Sequence, residues 1–431
     1  MNQRTYIKDL QSKIGEDVVI KGFVDTLRDQ NKIIFLLLRD VSGLVQNVIL
    51  KDCPDFEVAK NLSEESVVEI SGLVKEEKQA PGGFEIEAKT IKVLSAANPE
   101  LPIPVNVKKG GEETNPNTRF DYRWIDIRKP EKNKIFKVWT AAEKGIRDFY
   151  YKNNFNQIYT PSFMSTASES GSEVFEVKYF DKKAYLAQSP QFYKQMGIAS
   201  GLDKVFMMGP VFRAEESFTS RHMTEFVGWD FEIGYVESHF DVMENEEQMI
   251  ISAITEVKKQ MPEIDIEIPT APFPKLVFSE AKEKLAKAGI KSDKEYDLSP
   301  EEEREICKII KEETGSDFVF ITNYHKSIRP FYHMRLEENP DLTKSADLLF
   351  RGIEITTLAQ REHRLEILKK QAEEKNMNLA ELDTYFKFFE FGCPPHGGGG
   401  IGANRFIMKV LNYDNVREVT YLPRDVNRLN P

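Results

Sequence analysis

The chain has 431 residues, of which 40% are hydrophobic and 30% charged; that composition sustains packed cores and excludes global disorder, and the length allows two or three domains of roughly 100–200 residues. The net charge of −11 removes composition as an argument for a nucleic-acid coat, which needs Lys and Arg for phosphate, although local patches remain open. No apolar run reaches the ~18 residues of a membrane span, and "MNQRTYIKDLQSKIG" at the start lacks an apolar export segment. Cys53, Cys307 and Cys393 lie far apart without a CxxC pair, so neither a disulfide framework nor a zinc site is expected, and no membrane partner; the expected location is cytoplasmic.

Residues 1–100 read as β-rich. "VVIKGFV" (18–24), "KIIFLLLRD" (32–40), "LVQNVIL" (44–50), "VVEISGLV" (67–74) and "FEIEAKTIKVL" (84–94) are rich in Val, Ile and Phe. Turn signals at Ser42–Gly43 and in "APGG" (80–83) separate them. One helical stretch, "FEVAKNLSEES", falls between the third and fourth. This pattern suits a small Greek-key barrel, of which the OB-fold is the commonest and often binds oligonucleotides. Any five-stranded barrel would show the same pattern.

Residues 97–131 contain five prolines and many polar residues, which is linker composition. A helix is expected after Pro130, with Ile135, Phe136, Trp139, Ala142, Ile146 and Phe149–Tyr150 at helical spacing. Strands are expected at "QIYTP", "YLAQ", "KVFMMGPVFRAE", "FVGWDFEIGYV", "FVFIT", "RPFYHMRL" and "DLLFRGIEITTL". Helices are expected at 190–200, 240–260, 299–313, 361–376, 378–390 and 402–412. Successive strands without intervening helices favour an antiparallel sheet flanked by helices, an α+β layout.

The run "HGGGGIGANR" (396–405) admits several readings. No Lys-Ser or Lys-Thr follows, as a P-loop requires, and no βαβ unit follows, as a dinucleotide fingerprint requires. What remains is a glycine-rich strand entering a helix that carries Arg405, or a surface loop capping that helix. Glycines would let the backbone approach a flat ligand, and a guanidinium can stack on a purine or meet phosphate. The run alone does not decide. The segment 212–233, "FRAEESFTSRHMTEFVGWDFEI", sets Arg213, Glu215, Arg221, His222, Glu225, Asp230 and Glu232 among apolar residues. Alternation places Asp230 and Glu232 on one strand face. That pair suits an amine or a metal, or a solvated outer face.

"FRAE" followed by a variable loop and a strand resembles the second signature of class II aminoacyl-tRNA synthetases, "GIGANR" their third, and "IYTP" with Pro161 the end of their first. "AQSPQFYKQ" (187–195), "GIEITTLAQREHR" (352–364), "PPHGG" and "LPRDVNRLNP" resemble aspartyl-tRNA synthetases of the archaeal type. The resemblance spans nearly the whole chain. It implies an OB-fold anticodon-binding domain over 1–100, a hinge over 101–131 and a class II catalytic domain over 132–431.

It also implies a two-step reaction, in which L-aspartate and ATP give aspartyl-adenylate and a tRNA ribose hydroxyl then takes the aspartyl group. Such a site orients substrates and stabilises charge and needs no protein nucleophile. By resemblance, Arg213 bridges the α-phosphate and the aspartate carboxylate, and Arg213 and Arg405 are the catalytic pair. Glu215 accepts from adenine, and Phe226 and Arg405 sandwich the ring. Arg221 and His222 meet the outer phosphates, and Met223, Glu354 and Gly402 complete the ATP site. Lys194 and Arg361 hold the substrate side-chain carboxylate beside Gln191 and Thr357, and Glu169 and Asp230 receive the ammonium. A paired Lys and Arg favours a carboxylate over its isosteric amide. Read without the family, Lys194 is a solvated helix lysine and Arg361 a helix-start arginine. Asp347, Glu354 and Thr357 are the implied Mg2+ ligands. Asp347 and Glu354 stand seven residues apart, which puts them on opposite strand faces unless the chain breaks, and a break is expected at 351–352. In the barrel, Asp25, Arg28, Phe35 and Gln46 match anticodon-contacting positions, with Phe35 alternatively a core residue of "IIFLLL". A homodimer is implied, with Trp139 and Phe149 on an apolar helix face that a lone subunit would leave partly exposed.

Three residues depart from the family pattern. Leu358 stands where glycine is usual and is expected to crowd the adenylate. Asn404 replaces an acidic partner for Arg405. Asp25 replaces a Trp or His linked to rejection of tRNA(Asn), so charging of both tRNA(Asp) and tRNA(Asn) is expected. The competing readings are a synthetase paralogue with altered amino-acid or tRNA use, for which Leu358 speaks, and a binding protein with a decayed site.

Overall fold

The structure is a computed structural model that describes residues 4–106, 113–166 and 173–431. Its contacts divide the chain into two units, Met1–Asp126 and Ile127–Pro431. Among the described residues, no helix is long and apolar enough to cross a membrane.

In the first unit, β1 (Asp17–Asp29), β2 (Ile33–Asp40), β3 (Gly43–Leu50), β4 (Val67–Glu76) and β5 (Phe84–Ser95) close a barrel in the order β1-β2-β3-β5-β4. The short α1 (Phe56–Lys60) lies between β3 and β4. Strict alternation drives this packing. Ile34, Leu36 and Leu38 point inward with Val18, Ile20, Val45, Ile49 and Ile70 into one apolar core. The expected linker is partly helical: α2 (Pro116–Asp121) starts with Asn115 accepting from the Asn117 amide and Pro116 in the first turn. A second short helix, α3 (Arg123–Asp126), follows, and within it Arg123 pairs with Asp126 at 2.7 Å.

The second unit opens with the long α4 (Pro130–Lys152). In chain order follow β6 (Asn156–Gln157), β7 (Phe163–Met164), β8 (Glu176–Tyr179), β9 (Lys182–Leu186), α5 (Gln191–Ala199), β10 (Lys204–Phe212), β11 (Glu225–Gly234) and α6 (His239–Gln260). Then come β12 (Lys275–Val277), α7 (Phe278–Lys287), α8 (Pro300–Thr314), β13 (Phe318–Thr322), β14 (Ser345–Phe350) and β15 (Ile353–Gln360). The remaining elements are α9 (Leu365–Glu374), α10 (Asp383–Glu390), β16 (His396–Gly402) and α11 (Ala403–Val410). Among the described residues, eight strands form one sheet in the order β12-β13-β14-β15-β16-β11-β10-β6. Its interior pairs are antiparallel, and only the outermost strands, β6 and β12, run parallel to their neighbours. One face packs on α4 and α6 through Trp229, Phe231, Leu358, Ile401, Val138, Ile146, Ile250 and Ile254.

Several expected elements differ. "QIYTP" yields only the two residues of β6, since the chain then leaves the sheet edge towards Pro161. "RPFYHMRL" forms no strand and makes only isolated bridges, His333 to Arg361 and Arg335 to Thr343; Pro330 removes a ladder donor at its start. "DLLFRGIEITTL" is a hairpin, β14–β15, turning at Arg351 (φ 47°) and Gly352 (φ 84°). Two consecutive positive φ values are what a two-residue hairpin loop demands. The helix expected from 361 begins at Leu365. Trp139 is not left on an open face: its Nε1 donates to the Val419 carbonyl at 2.8 Å and its ring meets Trp229 edge-on, while Phe149 packs on the same core.

Candidate active site

The sheet face opposite α4 and α6 carries a cleft with about 880 Å³ of open space. Its lining includes Arg213, Glu215, Arg221, His222, Met223, Phe226, Asp230, Glu354, Thr357, Gly402 and Arg405. These residues come from the end of β10, the following loop, β11, β15, β16 and the first turn of α11, so segments distant in sequence converge on one surface.

Alternation explains β11. Trp229, Phe231 and Ile233 face the core, so Phe226, Gly228, Asp230 and Glu232 face the site. Asp230 and Glu232 are buried, not solvated. Burial of carboxylates requires partners, and each has one. Lys194 on α5 reaches Asp230 at 2.8 Å, and Arg361 grips Glu232 with Nε at 2.8 Å and Nη2 at 3.2 Å. Despite burial, Arg361 and Lys194 hold the Glu232 carboxyl below its usual range. Lys194 and Arg361, expected to hold a substrate carboxylate, thus lie behind the cleft in internal pairs. Lys194 also donates to the Gly399 carbonyl at 2.9 Å, and Arg361 Nη2 to the Gly398 carbonyl at 2.8 Å. Arg361 Nη1 meets His333 Nε2 at 3.2 Å. Lys194 Nζ also lies 3.7 Å from Glu232 Oε2; counting three donors on an ammonium and five on a guanidinium, each cation keeps one N–H without a hydrogen bond among the described residues.

The glycine run is β16, wedged between β11 and β15. A Cβ on Gly400 would lie 2.8 Å from Asp230 Oδ1, and one on Gly398 would overlap the Phe231 carbonyl and the Glu232 carboxylate. The glycines therefore make room for buried carboxylates and expose carbonyls to Lys194 and Arg361. Gln191 is buried and donates to Gln195 at 3.0 Å, within an amide network reaching His396 and Tyr385. Glu169 lies outside the described residues.

Asp347, Glu354 and Thr357 meet across the hairpin. The register of β14 on β15 shifts between Leu348 and Leu349, leaving Ile355 as an extra residue. The bulge brings Glu354 and Thr357 to one face. Thr357 Oγ1 lies 2.8 Å from Asp347 Oδ1 and 3.2 Å from Glu354 Oε1. Two carboxylates and a hydroxyl are hard oxygen donors of the kind Mg2+ takes alongside nucleotide phosphates, so these residues fit that ion. Arg329, absent from the sequence expectations, also holds Asp347 at 2.6 Å.

At the other end of the cleft, the Arg213 guanidinium lies 5.5 Å from the centre of the Phe226 ring and 3.6 Å from Glu215. His222 Nδ1 meets Thr219 Oγ1 at 2.7 Å. Burial, with Arg405, Arg221 and Arg213 nearby, pushes the His222 pKa down, against the Glu215 carboxylate, which raises it. Arg405 donates to the Glu354 carbonyl at 3.0 Å. Glu303, on α8, takes Arg221 at 2.9 Å and was likewise missed. "SPEEER" reads as a helix start, and nothing in its spacing separates Glu303 from its solvated neighbours.

Two expected departures resolve differently. Leu358 pairs across from Gly399 and points into the core, away from the cleft, so it does not crowd a ligand there. Asn404 is not an Arg405 partner: it accepts from the Val227 amide at 2.9 Å and donates to Thr420 at 2.8 Å.

On the barrel, Arg28 pairs across from Phe35, Phe35 from Val48 and Leu37 from Gln46, all on the outer face. Phe35 is therefore not a core residue. Gln46 Nε2 donates to Glu85 at 2.8 Å. Asp25 corrects the expectation. It lies at a bulge in β1, is buried, and its carboxylate pairs with Arg39, which also binds Glu65. It is not available to read a base.

The family model of class II tRNA synthetases (D, K and N) matches residues 115–426, and that of the OB-fold nucleic acid binding domain matches 18–94. The chain belongs to the class II tRNA synthetases of the D, K and N group. An aspartate–tRNA(Asp/Asn) ligase of Aeropyrum pernix is 41% identical over 99% of this chain and 98% of its own length. An aspartate–tRNA(Asp) ligase of Pyrococcus abyssi is 39% identical over 97% of each. The crystal structure of Pyrococcus horikoshii asparaginyl-tRNA synthetase complexed with asparaginyl-adenylate superposes with a TM-score of 0.92 at 32% identity, covering both chains fully. In this synthetase the residues of the second and third class II signatures thus line one sheet face, and the OB-fold lies in the other unit.

Proposed function

We propose that this synthetase ligates L-aspartate to tRNA(Asp), and to tRNA(Asn) as well, through an aspartyl-adenylate. The observation that carries the reading is the cleft itself, where Arg213, Glu215, Phe226 and Arg405 converge beside the buried Lys194–Asp230 and Arg361–Glu232 pairs. A carboxylate oxygen of aspartate attacks the α-phosphorus of ATP, and pyrophosphate leaves with the bonding electrons. A terminal ribose hydroxyl of tRNA then attacks the adenylate carbonyl, and AMP leaves. Arg213 neutralises charge where the two substrates meet, which a planar guanidinium does with paired donors. Phe226 and Arg405 clamp the purine, Glu215 accepts from its amino group, and Arg221 with His222 donates to the outer phosphates. Met223 and Gly402 line the purine side. Asp347, Glu354 and Thr357 would hold Mg2+, which supplies charge neutralisation on the phosphates. Asp230 receives the ammonium, and the remaining donors of Lys194 and Arg361, beside Gln191, take the side-chain carboxylate. Glu169 is assigned to the ammonium by resemblance.

The barrel outer face, with Arg28, Phe35 and Gln46, is the proposed anticodon surface, suited to stacking and edge recognition of unpaired bases. Asp25, tied to Arg39, supports no selective contact with the one anticodon base that differs between the two tRNAs. A homodimer in the cytoplasm completes the proposal. The exposed aromatics Tyr159, Phe163 and Phe180 support a second copy covering that edge. Charging of purified tRNA(Asp) and tRNA(Asn), side by side at one salt concentration, tests the substrate range. Comparable aspartylation of both is expected. A preference for tRNA(Asp) above about a thousand-fold, more than one base contact gives, contradicts the dual reading.

A further inference from the structure

We propose that Glu303 on α8 is a positioning residue for the nucleotide: it holds Arg221 so that the free part of that guanidinium faces the triphosphate. The inference rests on the reading of the cleft as the ATP site. Arg221 Nη1 donates to both Glu303 oxygens, at 3.1 and 2.9 Å. Among the described residues, its Nε and Nη2 make no hydrogen bond, which leaves three N–H groups for phosphate oxygens.

Glu303 does more than neutralise. Its Oε2 accepts from the Glu354 backbone N–H at 3.2 Å. The Glu354 carbonyl accepts from Arg405 Nη1 at 3.0 Å, and Arg405 Nε lies 3.4 Å from the Arg221 carbonyl. The four residues close a ring that joins the loop before β11, α8, β15 and α11. Position in this ring is shared, so a shift in one member moves the groups meant for the purine, the metal and the outer phosphates together.

The support for Glu303 is rigid. Ser299 caps α8, with Glu302 returning to the Ser299 amide in a capping box, and Lys282 holds Glu302 at 2.7 Å. Ile306, Cys307 and Ile310 anchor the same helix in a separate apolar cluster with Val319 and Ile321. Glu303 is itself buried. A carboxylate in that position is costly unless paired, so its pairing with Arg221 is built into the fold. A long surface side chain held this way loses less freedom on meeting a ligand, which is the advantage of preorganisation.

The opposite role is also chemically available. A carboxylate bound to Arg221 competes with a triphosphate for it, and removing the competitor would tighten ATP binding. The sign of the change in KM for ATP separates the two. ATP–pyrophosphate exchange is measured on the full chain for wild type, Glu303→Ala, Glu303→Gln, Arg221→Ala and the double variant Arg221→Ala/Glu303→Ala, varying ATP and aspartate separately.

Loss of a hydrogen bond to a charged group supports an expected rise of about tenfold in KM for ATP in Glu303→Ala. KM for aspartate stays within about twofold of wild type, as expected for a distant, weakly coupled site. Glu303→Gln keeps the shape and one acceptor and falls between the two; it carries the comparison if the alanine variant does not fold. In the Arg221→Ala background, Glu303→Ala adds less than about twofold, because residues acting through one contact are not additive. A fall in KM for ATP overturns the proposal in favour of competition. An equal loss in both backgrounds overturns it in favour of a general effect on the fold. Absence of exchange in wild type under every amino acid overturns the reading of the cleft instead, and the inference with it.

Discussion

The barrel and the large sheet follow the same two-residue alternation and reach opposite electrostatic outcomes. On β2 the residues between Ile34, Leu36 and Leu38 face outward and remain accessible, so Phe35 offers a ring to solvent. On β11 the residues between Trp229, Phe231 and Ile233 face the site and are still buried, so Asp230 and Glu232 are desolvated and paired. Alternation assigns a face; what lies over that face decides whether a polar side chain is a free reader or part of a fixed network. A barrel surface that stacks bases tolerates loose side chains. A site that stabilises a transition state needs its charges held before the substrate arrives.

The comparison breaks most visibly at the cleft arginines. Arg213→Ala and Arg405→Ala are each expected to lower ATP–pyrophosphate exchange by roughly a hundred- to thousand-fold, the usual loss for one preorganised charge contact, with the far-UV circular dichroism unchanged. Near-normal exchange in either variant removes that residue from the mechanism. Next is Gly400→Ala. Its methyl group would meet Asp230 Oδ1 at 2.8 Å, and overpacking of this kind costs about 1–3 kcal/mol. A lowered melting temperature together with a raised KM for aspartate is expected, and a variant with wild-type values for both would show that β16 has slack.

On the barrel side, Phe35→Ala sharpens the contrast. A stacked base is worth about 1–3 kcal/mol, so KM for tRNA rises while exchange, which needs no tRNA, is unchanged. Because Phe35 lies off the barrel core, the melting temperature changes little; a large drop would return it to the core. The smallest effect concerns Glu246 on α6, beneath the catalytic sheet. It accepts from Thr356 at 2.5 Å, and burial pushes its carboxyl from 4.5 up to about 8. Between those values the folded chain keeps a proton that the unfolded chain has lost, so this group's contribution to stability falls as pH rises through that window. Glu246→Gln removes the ionisation, and its melting temperature should gain on wild type as pH approaches the upper value. An equal difference at both ends of the window would show that Glu246 does not titrate there.

Much of the architecture was legible because it follows from short-range chemistry. The five barrel strands stand where β-branched runs and glycine turns put them, whereas the Arg351–Gly352 turn was expected only because the resemblance makes both Asp347 and Glu354 ligands of one ion. Convergence of the cleft residues was legible only through the family signatures, since no local pattern links Arg213 to Arg405. What escaped notice shares one cause. Glu303, Arg329 and the Glu232–Arg361 pair are defined by partners 18 to 129 positions away, and a charged residue in sequence looks the same whether water or another chain segment faces it. Asp25 and Leu358 show the converse. A bulge in β1 and the pleat of β15 decided where they point, and neither is visible in residue type.

The central claim is that this cleft activates aspartate. ATP–pyrophosphate exchange measured with L-aspartate and with L-asparagine on the same preparation tests it most directly. The charges of Lys194 and Arg361 predict exchange driven by aspartate, with asparagine at least about tenfold weaker, since replacing a charged hydrogen-bond partner by a neutral one loses about 1.5 kcal/mol or more. Exchange driven by asparagine and not by aspartate would contradict the account.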